Sequence, residues 1–329
     1  MVFQGTVLGP MLWNVFYEDS SLAIRSQSFE EIVFADDLNA FRKYNAGTPN
    51  ETILADMNSC QAELHSWGKA NQVVFDASKE SQHILSRTNP YGDPFVLLGV
   101  QFDCKLLMTD GVRELATTCR WKLRSVLRTR KFNNGLQLVQ LYKAQLLSYI
   151  EYRTAAIYHA CQSSLDELDS IQNKLLEAAG MTSVDALNAC RLAPLSARRD
   201  MALLGLIHRT VLGKGPGHFA AFFRADLEAR QNGRGKHRLQ LVEYANGHAS
   251  DYTFPGSRPA NYIAHSMFGL VAVYNRLPAY IVEGCGSVSS FQAALQQVLG
   301  AWANAGVWNW ERAFNPRVPW HRHLLTKGL

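Results

Sequence analysis

The spacing of apolar residues between positions 112 and 212 constrains this chain most strongly. From Val112 to Gly180 they recur mainly at helical intervals, with breaks near 133–135 and 162–164, and Ser196–Leu212 predicts one further helix. Upstream, the chain instead carries short runs rich in β-branched and aromatic residues, which predict strands. These runs lie at 31–35, 38–41, 73–75, 81–85 and 96–102. The expected fold class is therefore α+β.

Further helices and one connector complete the expected organisation. Helical spacing is also found from about Met11 and in residues 51–70, and the tail regains an apolar pattern at 268–274 and 291–302. Residues 213–262 are richer in Gly, Pro and polar residues and predict a loosely packed connector. It contains a basic cluster formed by Arg234, Lys236, His237 and Arg238.

Composition narrows the class of protein. The 329 residues are 47% hydrophobic with a net charge of +5, enough to bury one large core or two modest ones and compatible with a polyanionic partner. The six cysteines contain no CxxC pair, which argues against a zinc knuckle or a disulfide framework. We expect no signal peptide, because Gly9-Pro10 interrupts the apolar start, and no transmembrane segment. A nuclear or cytoplasmic location is expected.

Two adjacent carboxylates, Asp36 and Asp37, lie at the predicted turn between two strands. Carboxylates placed together can hold the divalent ions that activate a 3′ hydroxyl and stabilise a leaving pyrophosphate. An Asp-Asp pair is also common in a solvated turn, because Asp favours turns through local hydrogen bonds. The pair alone leaves both interpretations open.

The context of these acids resembles a known family. Gln4-Gly5-Thr6-Val7-Leu8-Gly9-Pro10, followed by Phe34-Ala35-Asp36-Asp37, resembles the QG(S/T)-x-LGP and (Y/F)ADD motifs of reverse transcriptases encoded by non-LTR retrotransposons. Leu98-Gly99-Val100 is similar to the family's primer-grip hairpin. Other similarities are Trp67, Asn71 and Lys79 after the ADD hairpin, 141–144 and 150–152 in the thumb, and 274–278 and 287–291 in the tail.

The resemblance implies a division of the chain into three parts. Residues 1–108 would form a partial palm, an antiparallel sheet with helices. Residues 109–212 would form a helical thumb and connection, and 213–329 a mostly helical C-terminal region with the flexible basic connector. The implied partners are an RNA template, a DNA primer and deoxynucleoside triphosphates, with Mg²⁺ or Mn²⁺ as cofactor.

The resemblance also implies roles for individual residues. Asp36 would be the direct metal ligand and Asp37 its neighbour, and Lys79 would be a proton donor to the departing phosphate; these three are the implied catalytic residues. Template or substrate contacts are implied for Gln4, Gly5, Phe34, Leu98 and Gly99.

The chain departs from the family pattern in three places. The family's aspartate-bearing strand upstream of the QG motif is not in this chain, and Asp19 follows the turn on a helix-like segment, where it is a poor substitute. Phe34 replaces the commoner tyrosine, and Glu80 stands where a small hydroxyl residue is usual. We therefore expect no robust polymerase activity from the chain alone.

A basic stripe between 113 and 131 points to nucleic acid independently of the family. On a helix, one face would carry Arg113, Arg120, Arg124, Arg128 and Lys131, and another Leu115, Cys119, Leu123 and Val126. Only one acid, Glu114, interrupts the basic run. We predict that Arg120, Arg124 and Arg128 contact the phosphates of a duplex, with a solvated helix face as the alternative.

Two other functions stay open. A nucleic-acid-binding fragment without catalysis predicts salt-sensitive duplex binding that is indifferent to Asp36. An inert relic of a retrotransposon predicts an unstable chain, so a cooperative thermal transition would count against it.

The C-terminal aromatic and imidazole side chains carry structural predictions only. His321 and His323 are two residues apart with no cysteine nearby, and we predict surface residues rather than metal ligands. Trp302, Trp308 and Trp310 are predicted to fill a core rather than to stack on bases.

Overall fold

The structure is a computed structural model that describes residues 6–45, 47–228, 236–243 and 265–326. Its fold is α+β, mostly helical, with two small antiparallel sheets of two strands each. The chain divides into two compact units. The first comprises Met1–Phe95 with Phe102–Leu106, and the second comprises Val96–Gln101 with Leu107–Leu329.

The first unit is built from two helices and a hairpin. Helix α1 is Gly9–Ser26, β1 is Glu30–Phe34, β2 is Asp37–Phe41, and α2 is Asn50–Ala70. α1 packs against α2, and a small core of Ile24, Phe29 and Cys60 lies between the elements. The predicted strand, turn and strand are confirmed, as is the helix at 51–70.

Two predicted strands of the first unit are wrong. Residues 73–75 fold back on the end of α2, where the Val73 amide donates to the Gly68 carbonyl and Phe75 stacks on His65. Residues 81–85 contribute only an isolated bridge between Ile84 and Tyr91. A β-rich run becomes a strand only when a partner offers a ladder of backbone hydrogen bonds, and neither segment has one.

The run at 96–102, predicted as a strand, forms two short strands joined by a tight turn. β3 is Phe95–Leu97 and β4 is Val100–Phe102, with Leu98 and Gly99 at the turn between them. Both turn residues have positive φ, which reverses the chain within two residues.

The second unit begins with a group of helices around α7. In chain order, the helices are α3 (Thr109–Arg128), α4 (Gly135–Tyr142), α5 (Ser148–Glu151), α6 (Thr154–Ile157) and α7 (Gln162–Ala179). α3 and α4 pack on α7, and the predicted apolar stripe of α3 is buried. The predicted break near 133–135 is confirmed, because Asn134 caps α4 through a reciprocal pair of hydrogen bonds with Gln137.

The remaining helices of the second unit share one hydrophobic core. In chain order they are α8 (Ser183–Cys190), α9 (Leu195–Val211), α10 (Gly217–Ala220), α11 (Gly269–Asn275), α12 (Ala279–Val282) and α13 (Val288–Asn304). At its centre His208 stacks on Phe291 at 4.2 Å. The imidazole also bonds the Tyr274 hydroxyl at 3.0 Å and the Cys285 carbonyl oxygen at 2.8 Å. A buried imidazole bonded at both nitrogens is a packing residue.

Within the predicted connector at 213–262, some of the described residues pack into the core. Phe223 and Leu241 are buried in the same core, and His237 of the predicted basic cluster is buried against the Tyr274 carbonyl oxygen. These apolar side chains are spaced too irregularly to show a helical or strand period, so composition alone suggested a loop. Arg234 lies outside the described residues.

The C-terminal predictions have mixed outcomes. His321 is exposed as predicted, whereas His323 is 1% exposed, and burial lowers the pKa of its imidazole to about 4. Trp310 is buried and Trp302 packs on the core, but Trp308 is 73% exposed. In the part of the chain that the structure describes, no helix combines the length and apolarity needed to cross a membrane.

An ionic network is buried in the second unit, around α7 and α9. Arg199, only 5% exposed, donates two hydrogen bonds of 2.7 and 2.9 Å to the Asp169 carboxylate. The neighbouring Asp200 is 1% exposed and accepts a 2.6 Å hydrogen bond from the Tyr158 hydroxyl. Burial raises the pKa of Asp200 to about 7, although the Tyr158 hydroxyl and the guanidinium groups of Arg199 and Arg317 oppose the rise.

We expect Asp200→Asn to change how stability depends on pH. Because the pKa of Asp200 is raised from 3.8 to about 7, the stability that the protonated carboxyl contributes is complete below about pH 4 and is lost as the pH rises to about 7. The free energy of unfolding of the variant should therefore rise relative to that of wild type as the pH increases from about 4 to about 7, by up to about 1.4 kcal/mol per pH unit. Urea unfolding at a series of pH values measures the difference.

The exposed Glu177 on the same helix group supplies a matched control. The free energy of unfolding of Glu177→Gln is measured over the same pH series. The expectation for Asp200 is wrong if the difference between its asparagine variant and wild type changes with pH no more than the difference for Glu177→Gln does.

Candidate metal and nucleic-acid site

Helix α1, which begins at the last two residues of the Gln4–Pro10 segment, contacts the turn that carries the two acids. The indole nitrogen of Trp13 donates a 2.9 Å hydrogen bond to the Ala35 carbonyl oxygen in that turn. One helical turn further on, burial raises the pKa of the Tyr17 phenol, and the nearby Asp36 carboxylate adds to the rise. Two segments about 20 residues apart in sequence therefore meet in space.

An aromatic cluster holds α1 in this position. Trp13 and Tyr17 stack at 4.8 Å, and Trp67 of α2 lies 5.6 Å from Tyr17 and 5.9 Å from Phe16. Such stacked and edge contacts stabilise packing beyond the area they bury. Sequence reasoning noted Trp67 but missed Trp13 and Tyr17, whose spacing of four on a helix was the available signal.

The hairpin turn presents Asp36 and Asp37 to solvent. Phe34 pairs with Asp37, which leaves Ala35 and Asp36 as a two-residue turn. Ala35 has a φ of 55°, a left-handed conformation that costs an L-residue roughly 1–2 kcal/mol. The contact from Trp13 stabilises the turn in this conformation.

Among the described residues, no third metal-binding side chain accompanies Asp36 and Asp37. No group of three His, Cys, Asp or Glu side chains is placed to hold an ion among residues 6–45, 47–228, 236–243 and 265–326. Asp19 is exposed on α1. Mg²⁺ commonly takes one or two protein carboxylates and completes its shell with water and substrate phosphates, so the donor chemistry of Asp36 and Asp37 fits it.

Of the other residues predicted for the site in the first unit, only Phe34 is described beside the acid turn. Gln4 and Gly5 fall outside the described residues, and Phe34 is 62% exposed beside the acid turn. Lys79 is exposed and forms an ion pair of 3.8 Å with Asp76. Within the described residues no ion pair joins Lys79 to either acid of the turn.

Glu80, which departs from the family pattern, has a local partner. Its carboxylate lies 3.0 Å from the His65 imidazole nitrogen and accepts a hydrogen bond from Gln61. Both partners are on α2, so Glu80 ties the segment after α2 back onto that helix.

Comparisons with protein-family models, with curated proteins and with solved structures returned no match.

Helix α3 presents a basic face in the second unit. Arg124 and Arg128, one turn apart, are exposed. Arg120 instead forms a 2.9 Å ion pair with Glu167 of α7, and Arg113 pairs with Asp110 at 2.7 Å. The charge available to a polyanion is therefore concentrated near the C-terminal end of α3.

An exposed tryptophan lies within this basic face. Trp121 is 68% exposed and precedes Arg124 and Arg128 by three and seven residues, so the three side chains share one face of α3. Phe132, just beyond the helix, is 87% exposed. Aromatic rings among arginines can stack on bases or sugars while the guanidinium groups bind phosphate. Sequence reasoning missed Trp121, although its spacing from the arginines was readable.

Proposed function

We propose that this chain is part of an RNA-directed DNA polymerase of the non-LTR retrotransposon type, which in complete form extends a DNA primer on an RNA template. The contact of α1 with the Asp36 turn is the observation that carries the proposal. Trp13, three residues beyond the Gln4–Pro10 segment, donates to the Ala35 carbonyl oxygen in the FADD turn, so the helix that continues the first motif contacts the second. A hairpin that presents two adjacent carboxylates is suited to hold the divalent ions that nucleotidyl transfer uses.

Asp36 and Asp37 would hold Mg²⁺ or Mn²⁺ in this enzyme. The ions would supply activation of the primer 3′ hydroxyl and stabilisation of the leaving pyrophosphate of a deoxynucleoside triphosphate. Lys79 is proposed as a proton donor to that phosphate. Its exposed ammonium group forms only a surface ion pair with Asp76, which water screens, so it can exchange partners.

The basic face of α3 supports a second candidate, a nucleic-acid-binding chain without catalysis. Arg124, Arg128 and Trp121 would bind a duplex through phosphate and stacking contacts whether or not the carboxylates hold metal. The polymerase requires metal binding at Asp36 and Asp37 and the second candidate does not, so a metal-binding measurement distinguishes the two functions.

We expect Mn²⁺ to bind the chain at Asp36 and Asp37 when a primer–template duplex and a deoxynucleoside triphosphate are present. Electron paramagnetic resonance of free Mn²⁺ measures the bound fraction. The Asp36→Asn/Asp37→Asn double variant should bind Mn²⁺ at least about tenfold more weakly, because metal affinity depends on ligand charge. Duplex affinity measured without metal should stay within about twofold of wild type.

Asp19→Asn is the control, since it removes one exposed acid from the neighbouring helix α1. It should leave Mn²⁺ binding unchanged. Equal Mn²⁺ affinity in wild type and the double variant would reject the polymerase proposal, and retained duplex binding would then favour the second candidate.

A further inference from the structure

The turn of the β3–β4 hairpin adopts a conformation that its own residues do not favour. Leu98 and Gly99 have φ values of 48° and 73°, both in the left-handed region. Glycine accepts this region freely, but leucine does not, because its Cβ comes too close to the following carbonyl oxygen. The conformation at Leu98 therefore needs support from the surrounding structure.

Two consecutive side chains after α5 supply that support. The Tyr152 hydroxyl donates a 2.8 Å hydrogen bond to the Leu98 carbonyl oxygen. Arg153 Nη2 donates a 2.8 Å hydrogen bond to the Gly99 carbonyl oxygen. Both central carbonyls of the turn are thus bonded to side chains 54 residues further along the chain.

Arg153 is itself held in place. Its Nη1 donates a 2.9 Å hydrogen bond to the Tyr149 carbonyl oxygen, and its guanidinium carbon lies 4.0 Å from the centroid of the Tyr149 ring. A planar guanidinium group stacked on an aromatic ring and bonded at both ends is preorganised, so it loses little freedom when it orders a neighbour.

The turn is open on its outer side. A Cβ added to Gly99 would meet nothing within 4 Å, and Leu98 is 37% exposed. A backbone phosphodiester could therefore approach the Gly99 main chain closely, next to the positive charge of Arg153.

We propose that Tyr152 and Arg153 are positioning residues that shape the Leu98–Gly99 turn for contact with the recessed 3′ end of a nucleic-acid strand. This inference rests on the proposed function, because the contact of the turn with a primer is implied by the resemblance of Leu98-Gly99-Val100 to the primer-grip hairpin. The two residues act through the turn and need not touch the primer themselves.

The experiment compares two fluorescent probes on the full chain. One is an RNA–DNA duplex with a recessed DNA 3′ end, and the other is a blunt duplex of the same sequence. Wild type should prefer the recessed end. Tyr152→Phe removes one neutral hydrogen-bond donor and should reduce that preference roughly fivefold. Arg153→Lys keeps the positive charge but loses the planar guanidinium group that bonds two carbonyl oxygens at once, and it should reduce the preference by about tenfold.

A positioning role also requires readouts that a general loss of folding would not produce. Blunt-duplex affinity should match wild type in both variants and the melting temperature should fall by only a few degrees, while amide hydrogen exchange should accelerate at residues 97–100. Tyr280→Phe, at an exposed tyrosine of α12, is the matched control and should preserve the preference.

The possible results separate the two proposals. Variants that keep the wild-type preference for the recessed end overturn this inference and leave the proposed function standing. Variants whose affinity falls equally for the recessed and the blunt duplex also overturn it, because the two side chains would then act on the fold as a whole. A wild-type chain that binds neither probe overturns the proposed function and this inference together.

Discussion

Replacing Arg124 and Arg128 together with glutamine should weaken duplex binding by about two orders of magnitude at low salt. Each guanidinium group is exposed on α3, so both are available to phosphates. A charge-assisted contact of this kind contributes about one order of magnitude to affinity. Because each neutralised phosphate adds close to 0.9 to the slope of log K against log salt, the slope should also fall by about 1.8 units. Fluorescence anisotropy between about 50 and 200 mM salt measures both quantities.

Charge-matched controls distinguish a site from a general effect of net charge. Arg191→Gln/Arg322→Gln removes two exposed arginines elsewhere in the second unit and should change the slope by much less. Trp121→Ala should lower affinity by about 1–3 kcal/mol without changing the slope, because stacking releases no counterions. Equal losses in the two double variants would contradict a binding face on α3.

Arg199→Met should destabilise the second unit by about 3–5 kcal/mol. Arg199 is almost fully buried and its two bonds satisfy the Asp169 carboxylate. Removing it leaves Asp169 without its partner and takes a compensating positive charge away from the buried Asp200, and an uncompensated buried charge carries a cost of this size. The melting temperature should fall by about 10 °C, measured by circular dichroism.

A second variant tests whether the lost ion pair is the cause. Asp169→Leu combined with Arg199→Met removes both charges and should recover at least half of the lost stability, since buried pairs can often be replaced by apolar side chains. A loss below about 1 kcal/mol in Arg199→Met alone would show that water compensates Asp169. A cooperative transition in wild type would also count against the inert-relic alternative.

Predictions from local pattern succeeded where the pattern is a helix or a hairpin. Residues 51–70 and the strand, turn and strand around Asp36 depend on interactions between near neighbours, which periodicity reports directly. The predicted strands at 73–75 and 81–85 failed because a strand needs a distant partner. His323 was predicted to be exposed for a related reason, since its burial depends on segments that a local pattern does not contain.

The candidate site shows the same division. The sequence placed Asp36, Asp37 and the arginines of α3 correctly on a turn and on a helix face. It overstated the free charge of that face, because Glu167, which pairs with Arg120, comes from another helix. It also missed Tyr152 and Arg153, whose bonds to the β3–β4 turn span 54 residues.

By itself the sequence determined the α+β class, most helices, the acid turn and the basic and apolar stripes of α3, because these follow from side-chain period and turn chemistry within a few residues. Only the tertiary structure decided that α1 contacts the acid turn, which arginines stay free, and which side chains hold the Leu98–Gly99 turn. Those features depend on pairings between distant segments, which form only when burial and hydrogen bonding offset the entropy of closing long loops.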